Sequence, residues 1–84
     1  MRRQKPRRNI YGFTHRLNQA LYHSGLSQSE FAERMELRRE TVTRYLNGQH
    51  VPDALTLAEI GNVLDVSTDW LLYGDVRGTP AWIL

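Results

Sequence analysis

The chain has no cysteine, which excludes disulfides and thiolate-bound metals and fits a reducing compartment without requiring one. Its longest apolar runs fall far short of the roughly 18 residues of a membrane span, so neither a transmembrane helix nor a membrane partner is expected. The basic N-terminus is followed by no apolar stretch and does not read as a secretory signal; a cytoplasmic location is expected. Alternating strand patterns are missing as well, which points to an all-α fold. There is no Ser/His/Asp spacing, no carboxylate pair in an apolar setting and no glycine-rich phosphate loop, so the chain is not read as an enzyme. His15, His23 and His50 include no pair at helical i, i+4 spacing, and neither a metal nor a cofactor is expected.

What is present is one domain's worth of chain with an uneven charge distribution. Eighty-four residues leave no room for a second core. Residues 1–48 carry ten Lys and Arg against Glu30, Glu33, Glu36 and Glu40, a net of +6. Residues 49–84 carry Arg77 against Asp53, Glu59, Asp65, Asp69 and Asp75, a net of −4. A chain of this kind turns its basic half toward a polyanion and its acidic half away. Arg2, Arg3, Lys5, Arg7 and Arg8 crowd into the first eight residues, a segment unable to bury apolar area and expected to be disordered in isolation. The organisation read from this is a basic arm over 1–9, a helical domain over 10–75, and an apolar tail or start of a linker over 76–84.

Helix starts are written in a repeated grammar. Ser27-Gln28-Ser29-Glu30 is a capping box, with Leu26 and Phe31 at the spacing of a hydrophobic staple. Thr56-Leu57-Ala58-Glu59 repeats it between Leu55 and Ile60, and Ser67 marks a third start between Val66 and Leu71. Gly25, Gly48 and Gly74 stand where helices end in a left-handed residue, while Pro52 and Pro80 block continuation. Ile10, Phe13, Leu17, Ala20 and Leu21 form one apolar stripe at helical spacing, with Asn9 as its cap. The pattern predicts five short helices, at about 10–24, 28–35, 39–47, 57–64 and 68–73. The expected core is Phe13, Leu17, Leu21, Leu26, Phe31, Ala32, Met35, Val42, Leu46, Leu55, Leu57, Ile60, Val63, Leu64, Val66 and Leu71.

Only residues 36–38 separate the second and third helices. So tight a link sets them at a steep angle and lets the second project from the body. At about 100° per residue, Val42, Tyr45 and Leu46 share one flank of the third helix, and Arg39, Glu40, Thr43, Arg44 and Asn47 share the other. On composition alone, the polar flank fits the solvated side of an amphipathic helix better than a binding surface. Its context favours a nucleic-acid surface: a tight turn precedes it, and Asn47-Gly48-Gln49-His50 follows with small polar groups suited to phosphate. Arg39 and Arg44 present paired donors that match a guanine edge. Glu40 has two readings, as an acceptor for cytosine N4 or as the i, i+4 partner of Arg44.

The stretch from Leu26 to Met35 resembles the first helix of the phage repressor and Cro-type (XRE-like, lambda-repressor-like) helix-turn-helix family. Thr41 to Gly48 resembles that family's recognition helix with its terminal Asn-Gly. Leu57 to Gly74, above all the ending Val66-Ser67-Thr68-Asp69-Trp70-Leu71-Leu72-Tyr73-Gly74, is similar to its fourth and fifth helices. The resemblance spans about residues 13–75. It implies a compact five-helix domain, its helix-turn-helix formed by the second and third helices, that binds double-stranded operator DNA as a symmetric homodimer. It implies that Arg39, Glu40 and Arg44 read bases with Thr43 beside them, and that Gln28 meets a phosphate and braces Arg39. Arg38 and Thr41 would touch phosphate or a thymine methyl, and Asn47, Gln49 and His50 would hold the backbone. The chain departs from the family pattern in three places. Glu36 replaces the glycine of the turn, Leu37 and Arg38 offer no capping acceptor to the recognition helix, and Leu21 and Leu46 replace an Arg–Glu pair.

The function these readings imply is a sequence-specific transcriptional regulator, bacterial or phage-encoded, that represses by occlusion. Dimer contacts are expected in residues 66–84, with Trp70 and Trp82 taking part. Two rivals stand beside it. One is a DNA-binding antitoxin whose tail, Trp82, Ile83 and Leu84, engages a protein partner. The other is a helical interaction module without a nucleic-acid role, its basic arm bound to an acidic protein or a membrane.

Overall fold

The computed structural model describes residues 10–74 and 79–83. The arm residues Arg2, Arg3, Lys5, Arg7 and Arg8 and the cap expected at Asn9 lie outside them. Five helices follow in chain order, α1 (Ile10–Ser24), α2 (Gln28–Met35), α3 (Arg39–Leu46), α4 (Ala54–Leu64) and α5 (Thr68–Tyr73), with a 3-10 turn at Ala81–Ile83. No strand occurs among the described residues.

Helix α1 is the central strut because its stripe is apolar along its length: Phe13, Leu17, Ala20 and Leu21 are all buried. It packs against α3, α4 and α5, while α2 packs against α3 and α4. The core so enclosed includes Phe31, Leu17, Ile60, Leu71 and Val42 as fully buried side chains. Each contributes about 1.5–3 kcal/mol relative to exposure.

The capping grammar holds at α2 and α5 and shifts at α4. The Glu30 amide donates to Ser27 Oγ at 3.0 Å and the Ser27 amide donates back to Glu30 Oε1 at 2.8 Å, completing the box. The Trp70 amide donates to Ser67 Oγ at 2.9 Å. At α4, however, the cap is Asp53, whose Oδ1 accepts from the Thr56 amide at 2.8 Å, so the helix begins at Ala54 rather than near 57. A carboxylate is favoured at a helix N-terminus by the peptide dipoles, and Asp53 captures the helix one turn before Thr56 could. Leu55 consequently sits in the exposed first turn at 84% exposure and is not a core residue. Leu26, Leu57, Val63 and Val66 pack on the core only half-buried, and Ala20, Tyr45 and Trp70 join it fully.

Gly25, Gly48 and Gly74 all adopt left-handed backbone, as their places predict. So do two residues with side chains, Glu36 at the end of α2 (φ 56°) and Asp65 at the end of α4 (φ 58°). A non-glycine residue there costs on the order of 1–2 kcal/mol. At Glu36 the conformation lets the amides of Glu36 and Leu37 donate to Glu33 and Ala32 carbonyls at 3.1 and 2.9 Å, closing the turn that aims α3. Gly61 serves a different need. A Cβ at that position would lie 2.8 Å from the Val66 carbonyl, where the chain folds back onto α4.

Two polar side chains of α1 tie the helices together. Arg16 Nε and Nη2 donate to the Leu71 and Leu72 carbonyls at 2.9 and 3.0 Å, capping α5. Asn18 Nδ2 donates to the Thr14 carbonyl and, at 3.0 Å, to the Leu46 carbonyl at the end of α3. Trp70, expected at a dimer contact, is 3% exposed and belongs to the core. Its indole is covered edge-on by Trp82 at 5.5 Å, and Trp82 stacks on His23 at 4.2 Å. A side chain so enclosed has no surface to offer a second copy.

Candidate nucleic-acid interface

Helix α3 divides as its helical spacing dictates. Val42, Tyr45 and Leu46 are 0%, 5% and 6% exposed, which fixes the helix against the core. Arg39, Glu40, Arg44 and Asn47 are exposed on the other side, and Thr43 is half-buried between them. The Arg38 backbone is extended and its side chain makes no cap, so the departure from the usual Ser/Thr start of such a helix is real.

In front of this flank lies an open cleft of about 600 Å³, lined by Gln28, Arg39, Glu40, Thr43, Arg44 and Gln49. Six of the ten residues expected to touch DNA from the folded domain therefore converge on one concavity. Gln28 reaches it as the first residue of α2. It is not joined to Arg39; the Thr43 hydroxyl donates to Gln28 Oε1 at 3.4 Å instead. Gln49 is held at the rim because its amide donates to the Arg44 carbonyl at 2.9 Å.

The remaining four surround the cleft without lining it. Arg38 is exposed just ahead of α3, and Thr41 is half-buried on its flank. Asn47 caps α3, its amide donating to Thr43. His50 is exposed and stacks on Tyr45 at 5.6 Å with nearly parallel rings. Burial pushes the Tyr45 phenol up, with Asp53 adding to the effect, so Tyr45 stays a neutral platform for His50. Sequence spacing did not reveal Asn18, which pins the end of α3 from α1. An asparagine one turn after Thr14 carries no signal that its partner lies on another helix.

Electrostatics around the site are simple. Among the described residues no carboxylate pairs with Arg39 or Arg44, and Glu40 has no ion-pair partner. Among the described residues, the cleft therefore holds two guanidiniums and one carboxylate without ion-pair partners and two amides, a set that suits polar recognition of base edges and phosphates.

The family model described as helix-turn-helix matches residues 19–71, which covers α2, α3, α4 and the turn between the first two. The HTH-type transcriptional regulator YqaE of Bacillus subtilis is 36% identical over 63 residues, 75% of this chain and 54% of that protein. The SPbeta prophage-derived regulator YonR of the same organism is 37% identical over 62 residues, 74% of this chain and 57% of its own. The regulator ImmR, also of Bacillus subtilis, is 35% identical over 60 residues, 71% of this chain and 47% of its own. The chain thus spans about half the length of the curated relatives it matches. With its five helices, its tight α2–α3 turn and these matches, the chain belongs to the helix-turn-helix family, as the repressor and Cro-type resemblance implied.

Proposed function

We propose that this domain binds double-stranded DNA sequence-specifically and regulates transcription, acting as a repressor that occupies a pseudo-palindromic operator as a homodimer. The observation that carries the reading is the cleft before α3, where Arg39, Glu40 and Arg44 stand free on a helix whose other side is locked in the core. Arg39, Glu40 and Arg44 face base edges; Gln28, Gln49, Arg38, Thr41, Asn47 and His50 hold the backbone around them. Thr43 stands beside the base-reading residues as a further base contact, its hydroxyl donating to Gln28 Oε1 at 3.4 Å. The basic arm, Arg2, Arg3, Lys5, Arg7 and Arg8, neutralises phosphates. The prophage origin of YonR and the other HTH-type transcriptional regulators among the relatives support a genetic-switch role. With Trp70 buried, the exposed large apolar side chains at the C-terminal end, among the described residues, are Tyr73 and Ile83, with Trp82 partly buried beside them.

Selection of random duplexes by the purified protein tests the reading. The expected result is enrichment of two inverted half-sites centred about 34–36 Å apart, one helical turn. Retention should weaken steeply as salt rises. A protein that enriches no sequence and is indifferent to salt would remove the DNA reading and favour an interaction module.

A further inference from the structure

The reading face holds one feature that works against DNA binding in general. Glu40 is exposed in the middle of it, and its carboxylate is not neutralised by Arg44, the partner its helical spacing offers. Around α3, Glu40 lies roughly 100° from Arg39 and about 40° from Arg44, so it stands between the two guanidiniums. Along the axis the arginines are about 7.5 Å apart, a little over two base-pair steps. Both line the same cleft as Glu40.

A carboxylate in that place repels every phosphate. It also repels every base edge that offers only acceptors to the major groove, namely guanine N7 and O6 and thymine O4. The groups that meet it favourably are exocyclic amines, and the one a glutamate accepts from best is cytosine N4. Resting on the DNA reading above, we propose that Glu40 is the specificity-determining residue of this face and works chiefly by exclusion. It selects a cytosine between two guanines read by Arg39 and Arg44, at the expense of affinity for all other duplexes. Specificity of this kind comes from a repulsive element placed among attractive ones.

The test compares the wild type with Glu40→Ala and Glu40→Gln, each shown to melt like the parent, which an exposed position allows. Duplex selection and anisotropy titrations on selected and random duplexes are the readouts. Glu40→Ala should bind random duplex more tightly than the wild type and lose preference at one base pair per half-site by roughly 5- to 150-fold, the range of a good base contact. Glu40→Gln should move the preference at that same pair from cytosine to adenine, because a carboxamide pairs with adenine N6 and N7. If both variants enrich the wild-type motif unchanged, Glu40 does not read the operator and the inference falls while the DNA reading stands. If the wild type enriches no motif, the DNA reading falls and the inference with it.

Discussion

Leu46 is the side chain through which the site depends on the core. It is 6% exposed at the end of α3, in the same buried cluster as Leu21, and its carbonyl accepts from Asn18. By the resemblance to the repressor and Cro-type family, Leu21 and Leu46 stand where some members pair an arginine with a glutamate, and buried apolar residues in such a place are often no less stable than the ions. Leu46→Ala should destabilise the fold by roughly 2–5 kcal/mol in denaturant titration. Unchanged stability would mean that α3 presents a different face to the core. Burial at this scale was readable from the sequence wherever one helix decided it, because about 100° per residue puts Val42, Tyr45 and Leu46 together. Pairings between helices were not readable. The Thr43–Gln28 and Arg16–Leu71 hydrogen bonds join residues 15 and 55 positions apart, and nothing local marks either partner.

Helices α2 and α5 were legible through their caps, and the misplaced start of α4 shows where that signal runs out. Asp53 and Thr56 are both good N-caps three residues apart, so local chemistry allows α4 to start at either. Pro52 is buried in the fold, which places Asp53 to accept from the Thr56 amide and commits the earlier start. The left-handed Glu36 was legible as a departure from a family pattern, whereas Asp65 had no such pointer. The Asp53 carboxyl is held below the usual aspartate range, first by the hydrogen bond from the Thr56 backbone amide. A depressed folded-state pKa contributes stability above the unfolded value of about 3.9, and this is lost as pH falls through the lower folded value. Asp53→Ala should therefore lower the melting temperature at pH 5–7, and the gap from the parent should close as the pH is taken below about 4. A gap that stays constant down to pH 3 would show that the charge on Asp53 does not support α4.

At the scale of the whole molecule, a net of +6 in residues 1–48 and −4 in residues 49–84 gives the sequence a polarity, and α3 belongs to the basic stretch. Diffuse positive charge accounts for affinity to any duplex; it does not account for choosing one. Choice requires groups held rigidly against base edges, and in the function proposed above α3 is the element suited to hold them, because its inner flank is locked by Val42, Tyr45 and Leu46. The fold class was legible from helix punctuation, and of the cleft residues Arg39, Glu40, Thr43 and Arg44 follow from one helical flank, Gln49 from the polar run after it and Gln28 from the resemblance alone. The burial of Trp70 was not legible, and its ring contact with Trp82 comes from a tail without helical periodicity. The distinction between general and selective binding is tested most directly by titrating the wild type and Arg44→Ala against a selected operator duplex and a random duplex at matched salt. The selected duplex should lose about 1–3 kcal/mol of binding free energy, the worth of one bidentate guanine contact, with a much smaller loss on the random duplex. Equal losses on the two duplexes would make Arg44 a phosphate clamp and contradict the assignment of α3 as the helix that reads sequence.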